Sequence, residues 1–116
     1  MKITHIHQVP ANEVKMDGAK SCRMRLVIGP RDGAPNFALR VFEVASGGHT
    51  PLHQHPYEHE IYVLEGSGTV WSEGRQIALK PGDALYVPAG ELHQFQNTGS
   101  GPFQFICLIP AQFQTC

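Results

Sequence analysis

From Asn36 onward the chain alternates: Phe37, Leu39 and Val41 interleave with Ala38, Arg40 and Phe42, so both faces of a two-residue period carry apolar groups. That pattern predicts a strand buried over most of its surface. After a turn at Ser46-Gly47-Gly48, further β-rich runs span Glu60 to Leu64, Thr69 to Trp71, Gln76 to Leu79, Ala84 to Val87 and Phe103 to Ile109. Gly66-Ser67-Gly68, Glu73-Gly74-Arg75 and Pro81-Gly82-Asp83 cut these runs apart, and the short glycine-containing break before Gln76 predicts a hairpin. Ahead of Pro35, short apolar pieces are interrupted by Pro10, Gly18, Gly29, Pro30 and Gly33, which reads as strands and turns. No window offers a 3.6-residue apolar stripe with helix caps. The fold class is therefore all-β, a sandwich or barrel that leaves few strand edges open.

Composition narrows the partners. The 116 residues fit one domain with one modest core. Charged residues make up 16% and the formal net charge is −1, so no basic field draws nucleic acid or an anionic membrane. The start, Met1 to Gln8, has no apolar run of signal-peptide length, and nowhere do about eighteen apolar residues follow one another. A cytoplasmic location is expected. Cys22, Cys107 and Cys116 are odd in number and form no C-x-x-C pair, which points to reduced thiols. A barrel this small gains buried apolar area by pairing across a twofold axis, so a homodimer is expected, with the amino-terminal segment in its interface.

The histidines suggest chemistry. His53 and His55 are two apart, so on extended chain their rings leave on one face. His59 follows, and His93 comes from a distant segment. A helical pairing of His55 with His59 is disfavoured by Pro56 and by the β-prone run Ile61-Tyr62-Val63-Leu64. Three or four imidazoles meeting in an apolar pocket would make a transition-metal site. His5 and His7 repeat the spacing without a partner and are expected as solvated strand residues, and His49 as a loop tip. Trp71 and Tyr86 read as core or rim aromatics.

At this point the residues resemble the cupins, small β-barrels with two sequence motifs. The second, G-x5-P-x-G-x2-H-x3-N, is met by Gly82, Pro88, Gly90, His93 and Asn97. The first, G-x5-H-x-H-x3 or 4-E-x6-G, is met by Gly47, His53 and His55, while its acidic position falls on His59 or on Glu60. The spacing back from Gly66 favours His59, with Glu60 as the alternative. The resemblance is to small bacterial single-domain cupins with four histidines and bound manganese. It implies a double-stranded β-helix (jelly-roll) barrel over residues 36–112, preceded by strands and turns over 1–35 and followed by a tail over 113–116. It also implies a metal held by His53, His55, His59 and His93.

The bound ion is expected to be divalent manganese, with iron, copper, nickel, cobalt or zinc as alternatives. Around it, Arg40, Phe95, Phe105 and Cys107 are the pocket candidates. On their strands, Phe95 lies on the His93 face, and Cys107 shares a face with Phe103, Phe105 and Ile109. Arg40 is placed to meet a substrate anion or to serve as a paired structural arginine. Two functions follow. One is a metal-dependent oxidoreductase, dioxygenase-like or cleaving a small organic substrate oxidatively. The other is a non-redox member that binds or isomerises a sugar or other metabolite, for which Glu58, Glu60 and Tyr62 are the groups available as a base.

Overall fold

The computed structural model describes residues 1–114, so of the tail expected over 113–116 the last two residues lie outside it. Nine strands follow in order: β1 (Asn12–Glu13), β2 (Lys20–Ile28), β3 (Phe37–His49), β4 (His59–Glu65), β5 (Gly68–Ser72), β6 (Arg75–Leu79), β7 (Ala84–Val87), β8 (His93–Asn97) and β9 (Phe103–Pro110). Short 3-10 turns occupy Ile6–Gln8, Pro30–Asp32 and Ala111–Phe113, and among the described residues there is no α-helix. No helix is long and apolar enough to cross a membrane. The strands form one curled sheet in the order β6-β5-β8-β3-β9-β4-β7, with β2 on β3 and β1 on β2. This is the all-β jelly-roll arrangement the sequence predicts.

Alternation on the central strands sets the core. Along β9, Phe103, Phe105, Cys107 and Ile109 are buried while their neighbours are half-exposed, and β8 repeats this with His93, Phe95 and Asn97 inside. Phe105 rests at ring-centroid distances of 4.8 Å from Phe95, 5.2 Å from Phe103 and 5.5 Å from Phe42. Of these inward aromatics, Phe42, Phe95 and Phe105 also border a cavity inside the barrel.

Two local features differ from expectation. Residues Ser46-Gly47-Gly48 do not end the strand. Instead β3 bends there and runs on to His49, with its register against β2 slipping between Lys20↔His49 and Cys22↔Val44. Gly47 takes φ 79°, and a Cβ on Gly48 would lie 2.6 Å from the Lys20 carbonyl oxygen. The bend is thus a bulge only glycine admits, and it carries β3 from β9 across to β8 at His49↔Gln96. His49 accordingly sits half-buried at a strand end, its Nδ1 3.3 Å from the Thr50 carbonyl oxygen, and is not a loop tip. At the amino end, His5 and His7 are exposed but belong to a 3-10 turn and not to a strand, because the His5 ring accepts from the His7 N–H. The predicted hairpin is present: Glu73 and Gly74, φ 51° and 76°, join β5 to β6, the pair of positive φ values that suits the twist of a tight hairpin.

Candidate metal centre

The segment between β3 and β4 is zipped to β8 by backbone hydrogen bonds. The Thr50 N–H donates to the Phe95 carbonyl (2.9 Å), His53 and His93 exchange both of their backbone hydrogen bonds (3.1 and 3.0 Å), and the Gly90 N–H donates to the His55 carbonyl (2.8 Å). Two parts of the chain forty residues apart in sequence are thereby set directly opposite each other. Exposure alternates along this segment even though the chain bends at Pro56-Tyr57: residues 53, 55, 57 and 59 are half-buried or buried, and residues 52, 54, 56, 58 and 60 are exposed. This period-two extension delivers the His-x-His pair to the cavity.

One ring nitrogen each from His53, His55 and His93 lies within 4.8 Å of the other two. His59 lies outside that set of three but packs beside it, its ring centroid 4.2 Å from that of His55 and 5.1 Å from that of His93, and its Nε2 touches the Nε2 of His55. Glu60, the alternative at that position, is exposed on the opposite side of β4 and faces an outer groove. The one-residue offset between them is the whole difference, since a strand turns consecutive side chains to opposite faces.

Hydrogen bonds orient the rings. His55 Nδ1 lies 2.9 Å from the Tyr57 carbonyl oxygen and His93 Nδ1 lies 2.8 Å from the Glu91 carbonyl oxygen. A carbonyl only accepts, so each Nδ1 carries the proton and each Nε2 keeps a lone pair turned to the centre. Glu91 is itself tied down by the Ser72 hydroxyl, which donates to its carboxylate at 2.7 Å. His59 Nδ1 sits 2.8 Å from the Cys107 sulfur. Burial depresses all four imidazoles: His53 falls to about 4 and His59 to about 2, in both cases by desolvation first and then by neighbouring rings and Arg40, while His55 and His93 shift down mainly through burial. Neutral rings with converging lone pairs repel unless a cation sits among them. The donor set therefore fits a divalent transition ion held by imidazole, with outer hydrogen bonds of the kind that fix metal ligands.

The ring cluster lines a cavity of about 440 Å³. All four pocket candidates line it. Phe95 and Phe105 are buried walls. Cys107 is buried, and its thiol is held above the ordinary range by burial against the pull of Arg40. Arg40 donates to the Cys107 sulfur through Nη2 at 2.9 Å and to its carbonyl through Nε at 3.4 Å, with its guanidinium 5.0 Å over the Phe42 ring.

Sequence reasoning missed Tyr57 and Phe113. The His55, Tyr57 and Phe113 rings stack in series at 4.0 and 4.5 Å, so the carboxy-terminal turn buttresses a candidate ligand. Tyr57 shares the parity of the three histidines and was findable on that ground. Phe113 lies beyond both motifs, and only the fold brings it there.

The cupin domain family model matches residues 40–109. Among curated proteins, quercetin 2,3-dioxygenase of Bacillus subtilis (strain 168) is 32% identical over 91 residues, 78% of this chain and 27% of that protein. The tetracenomycin polyketide synthase protein TcmJ of Streptomyces glaucescens is 32% identical over 78 residues, 66% of this chain and 52% of that one. Among solved structures, the polyketide cyclase RemF from Streptomyces resistomycificus superposes with a TM-score of 0.91 at 41% identity, covering 96% of this chain and 80% of that chain. The chain spans between about a quarter and about half the length of the first curated relatives it matches.

Proposed function

This chain belongs to the cupin domain family, and we propose that it is a metal-dependent cyclase that closes rings in a polyketide-like chain of alternating carbonyls. The observation that carries this reading is its similarity, along nearly its whole length, to a polyketide cyclase. His53, His55, His59 and His93 hold the ion in this proposal. A divalent ion bound there supplies a Lewis acid that polarises a carbonyl oxygen. Manganese is the ion the resemblance implies, and an all-imidazole set also suits zinc, iron, cobalt, nickel and copper.

The chain's own residues supply the rest. Phe42, Phe95 and Phe105 give flat apolar walls against which a folded polyene or ring can lie, and they keep water from the reacting carbons. Ring closure joins an enol carbon of one unit to a carbonyl carbon of another. The proton lost from the first ends on the oxygen of the second, and dehydration releases water. No oxidant is consumed.

The second reading is the metal-dependent oxidoreductase, favoured by the quercetin 2,3-dioxygenase match. One experiment separates the two. Metal-loaded protein is given a synthetic aryl triketone, with oxygen uptake and product mass followed together. Faster ring formation with loss of water and no oxygen uptake supports the cyclase. Oxygen uptake with two added oxygen atoms hands the site to the oxidoreductase, and a rate equal to that of metal-free protein overturns both.

The proposal also takes the protein as a cytoplasmic homodimer. Cys22 and Cys107 are free thiols, in keeping with a reducing compartment. Arg25 Nη1 donates to the Ile6 and Val9 carbonyls, which holds the arm within residues 1–35 against its own barrel as a fixed surface for pairing. Light scattering that gives a monomer at micromolar concentration removes the dimer.

A further inference from the structure

Arg40 is charged, half-buried and turned into the cavity, yet among the described residues no carboxylate pairs with it. Its partners are a sulfur, a backbone carbonyl and an aromatic face. These use Nε and Nη2 and leave Nη1 for something else. The four imidazoles lining the same cavity contribute no negative charge, and Glu13, the acidic residue among those lining it, is exposed on β1. A guanidinium removed from water without a countercharge is costly, and that cost is offset when an anion enters.

We propose that Arg40 is a specificity-determining residue that binds a planar oxyanion, a carboxylate or an enolate, carried by a flat apolar substrate. Phe42 beneath the guanidinium and Phe105 stacked on Phe42 at 5.5 Å supply the flat surface beside the charge. Guanidinium presents planar paired donors that match such an oxygen pair, whereas an ammonium does not. The inference rests on reading this cavity as the substrate site and is independent of whether cyclisation occurs there.

The test uses metal-free full-length protein, so that a metal ion cannot itself capture the anion. Benzoate probes the carboxylate, benzoylacetone the enolate through its red-shifted absorption on ionising, and benzamide serves as the neutral control. Wild type should bind benzoate, or ionise benzoylacetone, about tenfold or more in preference to binding benzamide, the range expected of a charged hydrogen bond. Arg40→Gln should remove that preference, and Arg40→Lys should keep part of it, with circular dichroism and zinc uptake confirming that both variants retain the fold and the histidine cluster. Equal binding of benzoate and benzamide with no ionisation of benzoylacetone overturns the proposal. So does a preference that survives in Arg40→Gln, or no binding of any probe by wild type. Should the triketone fail to cyclise while Arg40 still selects the anion, the cyclase reading falls and this one stands.

Discussion

The inner and outer faces of the sheet β7-β4-β9-β3 are built from the same strands, and only residue parity separates them. Inward stand His59 on β4, Phe105 and Cys107 on β9, and Arg40 on β3, bordering the 440 Å³ cavity. Outward stand Glu60 and Tyr62, Ile106 and Leu108, Leu39 and Tyr86, which line a shallower groove of about 500 Å³. The inner face gathers titratable groups whose protonation burial has shifted, and the outer face gathers apolar side chains beside one carboxylate. A cavity comparable in volume is therefore not by itself a site. Converging lone pairs and an uncompensated charge distinguish one face, whereas the tyrosines of the other, 48% exposed at Tyr62 and 64% at Tyr86, stand open to solvent.

The contrast breaks most severely at the inner aromatic stack. Phe105 is 1% exposed and touches three other phenylalanines, so Phe105→Ala should cost about 3–5 kcal/mol in urea unfolding, the range for removing a buried phenyl ring. A loss below about 1 kcal/mol would mean that the stack is not the core. Next in size is the cluster itself. His93 is 2% exposed and meets the other three rings within about 5 Å, and His93→Ala should lower metal affinity at least about a hundredfold by competition with a chromogenic chelator. An unchanged affinity would show that the rings converge without sharing an ion.

Much of this was legible beforehand, and the reasons lie in particular residues. Alternation along Phe103 to Ile109 and the fixed intervals from Gly82 to Asn97 marked the strands and placed His93 on the Phe95 face, because a strand's period is imposed by its backbone. Spacing alone favours His59 over Glu60 without deciding between them, since a one-residue slip is invisible until the pairing His59↔Val87 and Glu60↔Leu108 fixes which way β4 faces. The bend at Gly47-Gly48 looks like a turn in the sequence because glycines signal both a strand's end and a bulge, and only the neighbouring strand tells them apart. Phe113 and the backbone carbonyls of Tyr57 and Glu91 carried no signal, because carbonyls are common to all residues and stacking depends on how the chain closes.

Between pH 6.5 and about 4 acid should act chiefly on the inner face, before the depressed carboxylates of Asp32, Glu43 and Asp83 take up protons. In the folded protein His53 titrates near 4 and His59 near 2, against an ordinary value of 6.5 in the unfolded chain. Below pH 6.5 the unfolded chain takes up protons that the folded one refuses, so the metal-free protein loses stability as the pH falls from 6.5 through about 4. The melting temperature of metal-free protein should fall across that interval, and a bound ion should shift the fall to lower pH because it competes with the same protons. A metal-free melting temperature flat from pH 7 to pH 4 would place these rings in water. The same scan on His53→Gln should show a shallower slope, which assigns that share of the effect to one ring.

The smallest effect is the most discriminating, because it concerns two adjacent residues. Glu60 is exposed and faces the groove with Tyr62 and Tyr86, whereas His59 is 7% exposed beside His55 and Cys107. Glu60→Gln keeps the size and polarity of an outward side chain, so it should change unfolding free energy by less than about 0.5 kcal/mol. Metal content should stay near that of the unaltered protein, while His59→Ala lowers it. Should the glutamine variant lose its metal and the alanine variant keep it, β4 must face the other way in solution. The strand would then have slipped by one residue, carrying Ile61 and Val63 out of the core, a change that amide exchange along β4 would register at once.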